Sequence, residues 1–293
     1  MVIPHPLSSL TSKQTIDLAR NNFFALKSLI LSAPDNDAGD ESDKCYSRYT
    51  TASLAKDVAK IPDGNIDYQG STMMSGLGLS DGLPVFLPTR ERVNEILEFW
   101  PLLSSDDDAL VIPPRNGLAT PTIIAANAVM TGMPPHLAPY AESAMRALCD
   151  PDFQVFNLQT TTNPVTPVIV VGGAATEKNG FNNKTGAIGG GNTSNASLGR
   201  TLKLCMRNIG GASAESGVDP ATVGQPGKYT FCFAELEGLI DWPPLRSQTA
   251  RAVDANQDAV TLIGVTGTAN MIIKATSAKE LLEMIAKSIK SVG

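Results

Sequence analysis

Pro167-Val168-Ile169-Val170-Val171-Gly172-Gly173 is followed by a glycine loop and a long polar–apolar run. The loop and run read Gly189-Gly190-Gly191-Asn192-Thr193-Ser194-Asn195-Ala196-Ser197-Leu198-Gly199-Arg200, then Thr201-Leu202-Lys203-Leu204-Cys205-Met206. The first segment is β-branched and uncharged, the signature of a strand buried on both faces. The three glycines free the backbone to turn and admit close approach. Leu198, Leu202, Cys205 and Met206 then recur at helical spacing. Asn195 is the expected N-cap, because its side-chain oxygen can accept from the unpaired N–H groups of the first turn. Asn208-Ile209-Gly210-Gly211 supplies a glycine stop.

Working outward, Ala109-Leu110-Val111-Ile112-Pro113, Phe153 through Leu158, Tyr229 through Glu235 and Val260 through Val265 read as further strands. Helices are expected after Pro88-Thr89, after Thr120-Pro121 and from about 139 to 148. A last helix follows the capping box Ser277-Ala278-Lys279-Glu280, with Leu281, Met284, Ile285 and Ile289 turned to the core. Strands that alternate with helices predict an α/β body, a layered mixed or parallel sheet flanked by helices. Residues 1–70 read as an N-terminal helical extension, with an apolar stripe on Ile16, Ala19, Phe23, Leu26 and Ile30 and an acidic loop at 35–44. Residues 71–293 form the main body, in one piece or in two lobes. The unsatisfied stripe of the extension favours a homodimer.

The 293 residues are 42% apolar and 18% charged, enough to bury a substantial core. A net charge of −6 argues against a nucleic-acid surface, which needs a basic stripe. No run has the apolar length of a membrane span, and the first residues lack the form of a secretory leader, so a cytoplasmic setting is expected. Cys45, Cys149, Cys205 and Cys232 match no zinc spacing, and the two histidines, His5 and His136, stand outside the strong motifs. Neither a metal site, a cofactor nor a Ser-His-Asp triad is expected.

The glycine loop at a helix start can hold an anion through free N–H groups and the positive end of the helix dipole. Gly190, Gly191, Asn192 and Asn195 are its candidate binding residues. Arg200, one turn in, works against the dipole unless an anion or a distant carboxylate faces it. Arg115 sits between a strand and a helix start, where a guanidinium can clamp a carboxylate. Thr162 and Asn163 precede Pro164, which forces an extended turn, and Asn270 follows the last strand. Glu235, at the end of an apolar run, and Lys228, in the turn before it, are the candidate acid and base. Together these residues predict a cofactor-independent lyase or isomerase that moves a proton on a small oxygenated, carboxylate-bearing molecule. The alternative is a non-catalytic small-molecule binder or a subunit of a larger complex.

Gly78-Leu79-Ser80-Asp81-Gly82-Leu83-Pro84-Val85, Pro88-Thr89-Arg90-Glu91-Arg92-Val93 and Pro113-Pro114-Arg115 form a wider pattern with Thr161-Thr162-Asn163-Pro164, Gly190-Gly191-Asn192 and Gly224-Gln225-Pro226-Gly227-Lys228-Tyr229. Over roughly residues 76–270 this pattern resembles an uncharacterised family associated with UGSC-motif thiol or selenocysteine proteins. The tetrapeptide itself is absent, so the resemblance implies no thiol redox chemistry here. It implies a histidine at the position of Ala269 and polar residues at those of Leu118 and Ile123, and therefore an activity shifted or lost in this chain.

Overall fold

The computed structural model describes residues 66–100, 109–239, 241–248, 252–254 and 256–290. In chain order these form helices α1 (Ile66–Gly76) and α2 (Arg90–Leu97), then strands β1 (Leu110–Ile112) and β2 (Gly117–Ala119). Helices α3 (Pro121–Met130), α4 (Ala138–Leu148) and α5 (Val155–Thr160) lead to strand β3 (Thr166–Gly172) and helix α6 (Thr193–Asn208). Strand β4 (Cys232–Ala234), helix α7 (Leu245–Gln248), strand β5 (Ala259–Val265) and helix α8 (Ala278–Lys290) complete the order. The expected helices and acidic loop of residues 1–62 lie outside the described residues.

β3 is buried at all seven positions, as its β-branched run requires. It pairs in parallel with β4 and antiparallel with β5, giving a mixed three-stranded sheet of order β4-β3-β5. Ile169 and Val171 are fully buried and share one core with Cys232 and Ala234 of β4. Leu198, Leu202 and Cys205 of α6 and Ala141, Met145 and Leu148 of α4 fill that core from the helical side. α3 packs on α6 and is buried on nearly every face, so it is the central helix of the layer. Its start follows the expected chemistry: Thr120 accepts from the Ile123 N–H and Pro121 occupies the first turn. The body is therefore the expected α/β arrangement, a mixed sheet flanked by helices.

Four local expectations are corrected. The segment from Phe153 to Leu158 is not a strand. Pro151 and Asp150 start a helical turn, Gln154 takes a left-handed φ of 56°, and α5 follows from Val155. Its apolar–polar alternation is too short to separate the two periods. β1 does form, but it closes a separate hairpin with β2, so Arg115 lies in a hairpin turn and not at a helix start. The N-cap of α6 is Asn192, whose side chain accepts from the Asn195 N–H at 2.8 Å. Asn195 itself is inside the helix, 2% exposed.

The fourth correction concerns α8. Ser277 accepts from the Glu280 N–H at 3.2 Å, and Glu280 accepts from the Thr276 N–H at 2.8 Å, so its start is built much as the capping box foretells. Its apolar stripe, however, does not meet the core. Leu281, Met284 and Ile289 are exposed, and Ile285 is half-buried. The periodicity fixes that these residues share a face but not what covers it. This difference is measurable: Leu281→Gln should shift stability by less than about 0.5 kcal/mol. Leu198→Ala, in the fully buried core, should cost about 2–5 kcal/mol. Urea unfolding of both variants checks the contrast.

Candidate functional site

The glycine loop opens onto a cleft of about 490 Å³ that lies over the first turn of α6. Gly189, Gly190, Asn195, Gln225, Thr230 and Thr268 supply its polar lining. Gly191 has φ of 101°, a conformation that glycine adopts without strain. Gly190 does not have positive φ, and a Cβ there would meet nothing within 4 Å, so packing does not demand glycine at 190. The open side of the loop is available to a ligand.

The polar side chains of the cleft are already engaged. Asn195 accepts from the Asn182 N–H at 3.0 Å and donates to the Asn182 and Ala187 carbonyls at 2.9 Å each. Gln225 donates to the carbonyls of Pro164 and Val265, and Thr230 donates to the Ala196 carbonyl. These bonds fix the walls. They leave recognition to backbone groups and to the spare lone pairs of the side chains. Cys232 is the one titratable residue in the lining, and burial pushes its thiol well above the usual range, so it is an inert neutral group.

The other sequence candidates lie elsewhere. Arg200 makes a bidentate pair with Asp81, both bonds 2.8 Å, and also donates to the Pro84 carbonyl at 3.0 Å. Of the two roles open to it, the structure gives it the distant carboxylate. Asn163 accepts from the Val165 N–H at 3.1 Å, and Thr162 gives its carbonyl to the Thr222 N–H, so this pair builds a turn. Glu235 receives the Leu245 N–H on both carboxylate oxygens at 3.0 Å, capping the start of α7. Asn270 is exposed. The Arg115 N–H donates to the Gly210 carbonyl at 3.1 Å. The candidates are thus spread over several places: Gly190 and Asn195 line the cleft, while Gly191 shapes the turn beside it and Asn192 caps α6.

Lys228 leads to a second place. Its ammonium donates to both oxygens of Asp219, at 2.9 and 2.8 Å. This pair lines a smaller cavity of about 50 Å³, with Gln159, Thr166 and Lys203 around it. Lys203 is buried, and its amine donates to Thr166 Oγ1 at 2.7 Å and to the Pro167 carbonyl. Burial, and then the charge of Lys228, hold its pKa well below the usual lysine range. Gln159 donates through Nε2 to the Pro113 carbonyl, while its buried Oε1 has no hydrogen-bond partner.

Sequence reasoning passed over Lys203 because it sits between Leu202 and Leu204 in an apolar pattern. A usable signal was there. Gly199, Lys203 and Met206 share one stripe of α6, and a glycine in mid-helix often marks close approach of another backbone. A Cβ at Gly199 would lie 2.8 Å from the Phe231 nitrogen. That stripe is therefore pressed against the chain entering β4, and the lysine four residues on is buried with it.

A groove of similar volume, about 490 Å³, runs between α1 and the turn at residues 80–86. Its lining holds hydroxyls but none of the sequence candidates. Among the described residues no group of three His, Cys, Asp or Glu side chains is placed to hold a metal ion, and no helix is long and apolar enough to cross a membrane. Comparison of the chain with protein-family models, with curated proteins and with solved structures finds no match.

The depressed pKa of Lys203 has a consequence for stability. Between its folded value and about 10.4, the unfolded chain binds a proton that the folded chain does not. Stability from this residue therefore rises with pH across that window and falls away as pH drops toward the folded value. Lys203→Met should remove that slope, so the stability of wild type relative to the variant should climb as pH rises from neutrality. Urea unfolding at a series of pH values reads it, and parallel curves for the two proteins would contradict it.

Proposed function

We propose that the protein binds a small oxygenated, carboxylate-bearing molecule in the cleft of the glycine loop. The observation that carries this reading is the loop itself, with an open side at Gly190 and a left-handed turn at Gly191, over the N-terminal turn of the sixteen-residue α6. A cleft of about 490 Å³ is within the range of small-molecule sites. Its walls are fixed by Asn195, Gln225 and Thr230 before any ligand arrives, which lowers the ordering cost of binding.

A second reading, turnover by proton transfer in a cofactor-independent lyase or isomerase, is favoured by a different observation: the buried amine of Lys203 beside the Lys228–Asp219 pair. Under that reading Lys203 takes the base role that the sequence assigns to Lys228 or Glu235; Lys228 stays beside it, paired with Asp219, while Glu235 caps α7.

The binding reading is tested by screening two- to six-carbon hydroxy and oxo carboxylates by ligand-observed NMR against the full chain. At least one should bind. Gly191→Val should then weaken it tenfold or more, because a β-branched residue resists the left-handed φ. Gly190→Ala should bind normally or moderately less, with unchanged stability. Asn195→Ala should cost about 1–3 kcal/mol of stability by stranding three bonded groups. If Gly191→Val binds the hit as well as wild type does, the cleft is not the site.

A further inference from the structure

We propose that Lys203 is a covalent attachment site for a small 2-oxo acid, which it holds as an imine in the cavity shared with Gln159, Lys228 and Asp219. The inference rests on the second reading above, that the chain performs chemistry, and does not depend on the glycine-loop cleft.

Geometry comes first. The Lys203 amine has two acceptors, Thr166 Oγ1 and the Pro167 carbonyl, and among the described residues no carboxylate bonds to it. The carboxylate that lines the cavity, Asp219, gives both oxygens to Lys228. A buried ammonium without a counter-ion is costly, and a second ammonium in its field adds to that cost, so the neutral amine is favoured. A neutral amine that donates two hydrogens keeps its lone pair. A lysine made nucleophilic by burial and by a neighbouring cation is a known route to imine formation.

Three features set the class of ligand. The lone pair needs an electrophilic carbon, which a ketone or aldehyde carbonyl provides. The buried Gln159 Oε1, with no partner of its own, needs a hydrogen-bond donor. Lys228, about a fifth exposed at the solvent side, can share an anionic group with Asp219. The volume, about 50 Å³, is several times the roughly 10–15 Å³ that one water needs, so the cavity suits a molecule of a few heavy atoms. A two- or three-carbon 2-oxo acid supplies the electrophilic carbon and the anionic group at a fitting size, and the hydroxyl of its carbinolamine supplies the donor for Gln159 Oε1.

The steps balance without an oxidant or reductant. The Lys203 lone pair attacks the 2-carbon, the carbonyl π pair moves to oxygen, and a proton passes from nitrogen to that oxygen. The resulting carbinolamine hydroxyl donates to Gln159 Oε1. The Lys228 ammonium then gives a proton to the departing hydroxyl, which leaves as water while nitrogen and carbon form the double bond. Lys228 recovers its proton from solvent. With pyruvate, the imine acidifies the methyl C–H, which is the entry to proton-transfer chemistry.

The test is reductive trapping. The full chain is incubated with pyruvate or glyoxylate and sodium cyanoborohydride, digested, and mapped by tandem mass spectrometry. Lys203 should carry the reduced adduct at least tenfold more than exposed lysines such as Lys184 and Lys279. Gln159→Leu, checked for retained fold by circular dichroism, should slow labelling of Lys203 severalfold and leave Lys184 unaffected. Leu281→Gln, on the exposed face of α8, should label at the wild-type rate. Adducts spread over surface lysines, with Lys203 unmodified in the folded chain, would overturn the proposal. Labelling intact with no carboxylate bound in the cleft overturns only the binding reading, and the converse result overturns only this one.

Discussion

A helix buried along most of its length needs partners for the polar side chains it carries, and α6 carries many. Ser194, Asn195, Ser197, Thr201, Lys203 and Asn208 are all buried. An unpaired polar group inside a protein costs on the order of 1–3 kcal/mol, so these residues, apart from Ser197, which bonds the Thr193 carbonyl of its own helix, dictate where another part of the chain must go. Ser194 donates to the Asn179 carbonyl, and Asn195 bonds Asn182 and Ala187, which together fold the long connection from β3 back onto the helix start. Asn208 donates to the Leu79 carbonyl and to Asn127, joining the helix end to α3 and to the turn after α1. Thr201 meets Thr131 at 2.8 Å, where α3 ends. Lys203 reaches the start of β3. The apolar face of α6 makes the core, while its polar residues fix which segments surround that core.

Arg200 extends the same logic to the edge of the helix. The guanidinium has a fixed fork of donors, and Asp81 meets it bidentately with the Leu83 and Pro84 carbonyls alongside. Asp81 also accepts from the Leu83 N–H, so one carboxylate both shapes the turn at residues 80–83 and anchors it to the helix. The charge that opposes the helix dipole is thereby neutralised across 119 residues of sequence.

How much of this is legible from the residues alone follows from the range of the forces involved. Local chemistry reads well. The β-branched run became β3, Thr120-Pro121 became a capped helix start, and Ser277 took its capping place. Cys205 and Cys232 are buried where the apolar patterns put them. Partner choice reads poorly. Arg200, Lys228, Asn195 and Glu235 have the residue types of a ligand site, and each is held by a side chain or backbone group of another segment that no spacing rule identifies. The glycine loop was legible because φ and close approach are properties of single residues. The cavity beside Lys203 was not, since it needs α5, β3, α6 and the turn before β4 in one place.

Polar residues on a buried helix therefore divide by whether the fold completes them. Asn195 shows one outcome: its carbonyl accepts one bond, its amide donates two, and its role is to hold the loop. Lys203 shows the other. Thr166 and Pro167 orient the amine, but Asp219, the nearby carboxylate that would have neutralised an ammonium, is claimed by Lys228. A purely structural design would be cheaper with methionine or leucine at 203, since a well-packed apolar residue is commonly at least as stable as a buried charge. The arrangement instead spends stability on an amine, a cation–carboxylate pair and an orphaned glutamine oxygen around one small space. Costly, partly satisfied polar clusters of this kind are where local rules and the global fold disagree, and such disagreements concentrate where a protein binds or reacts.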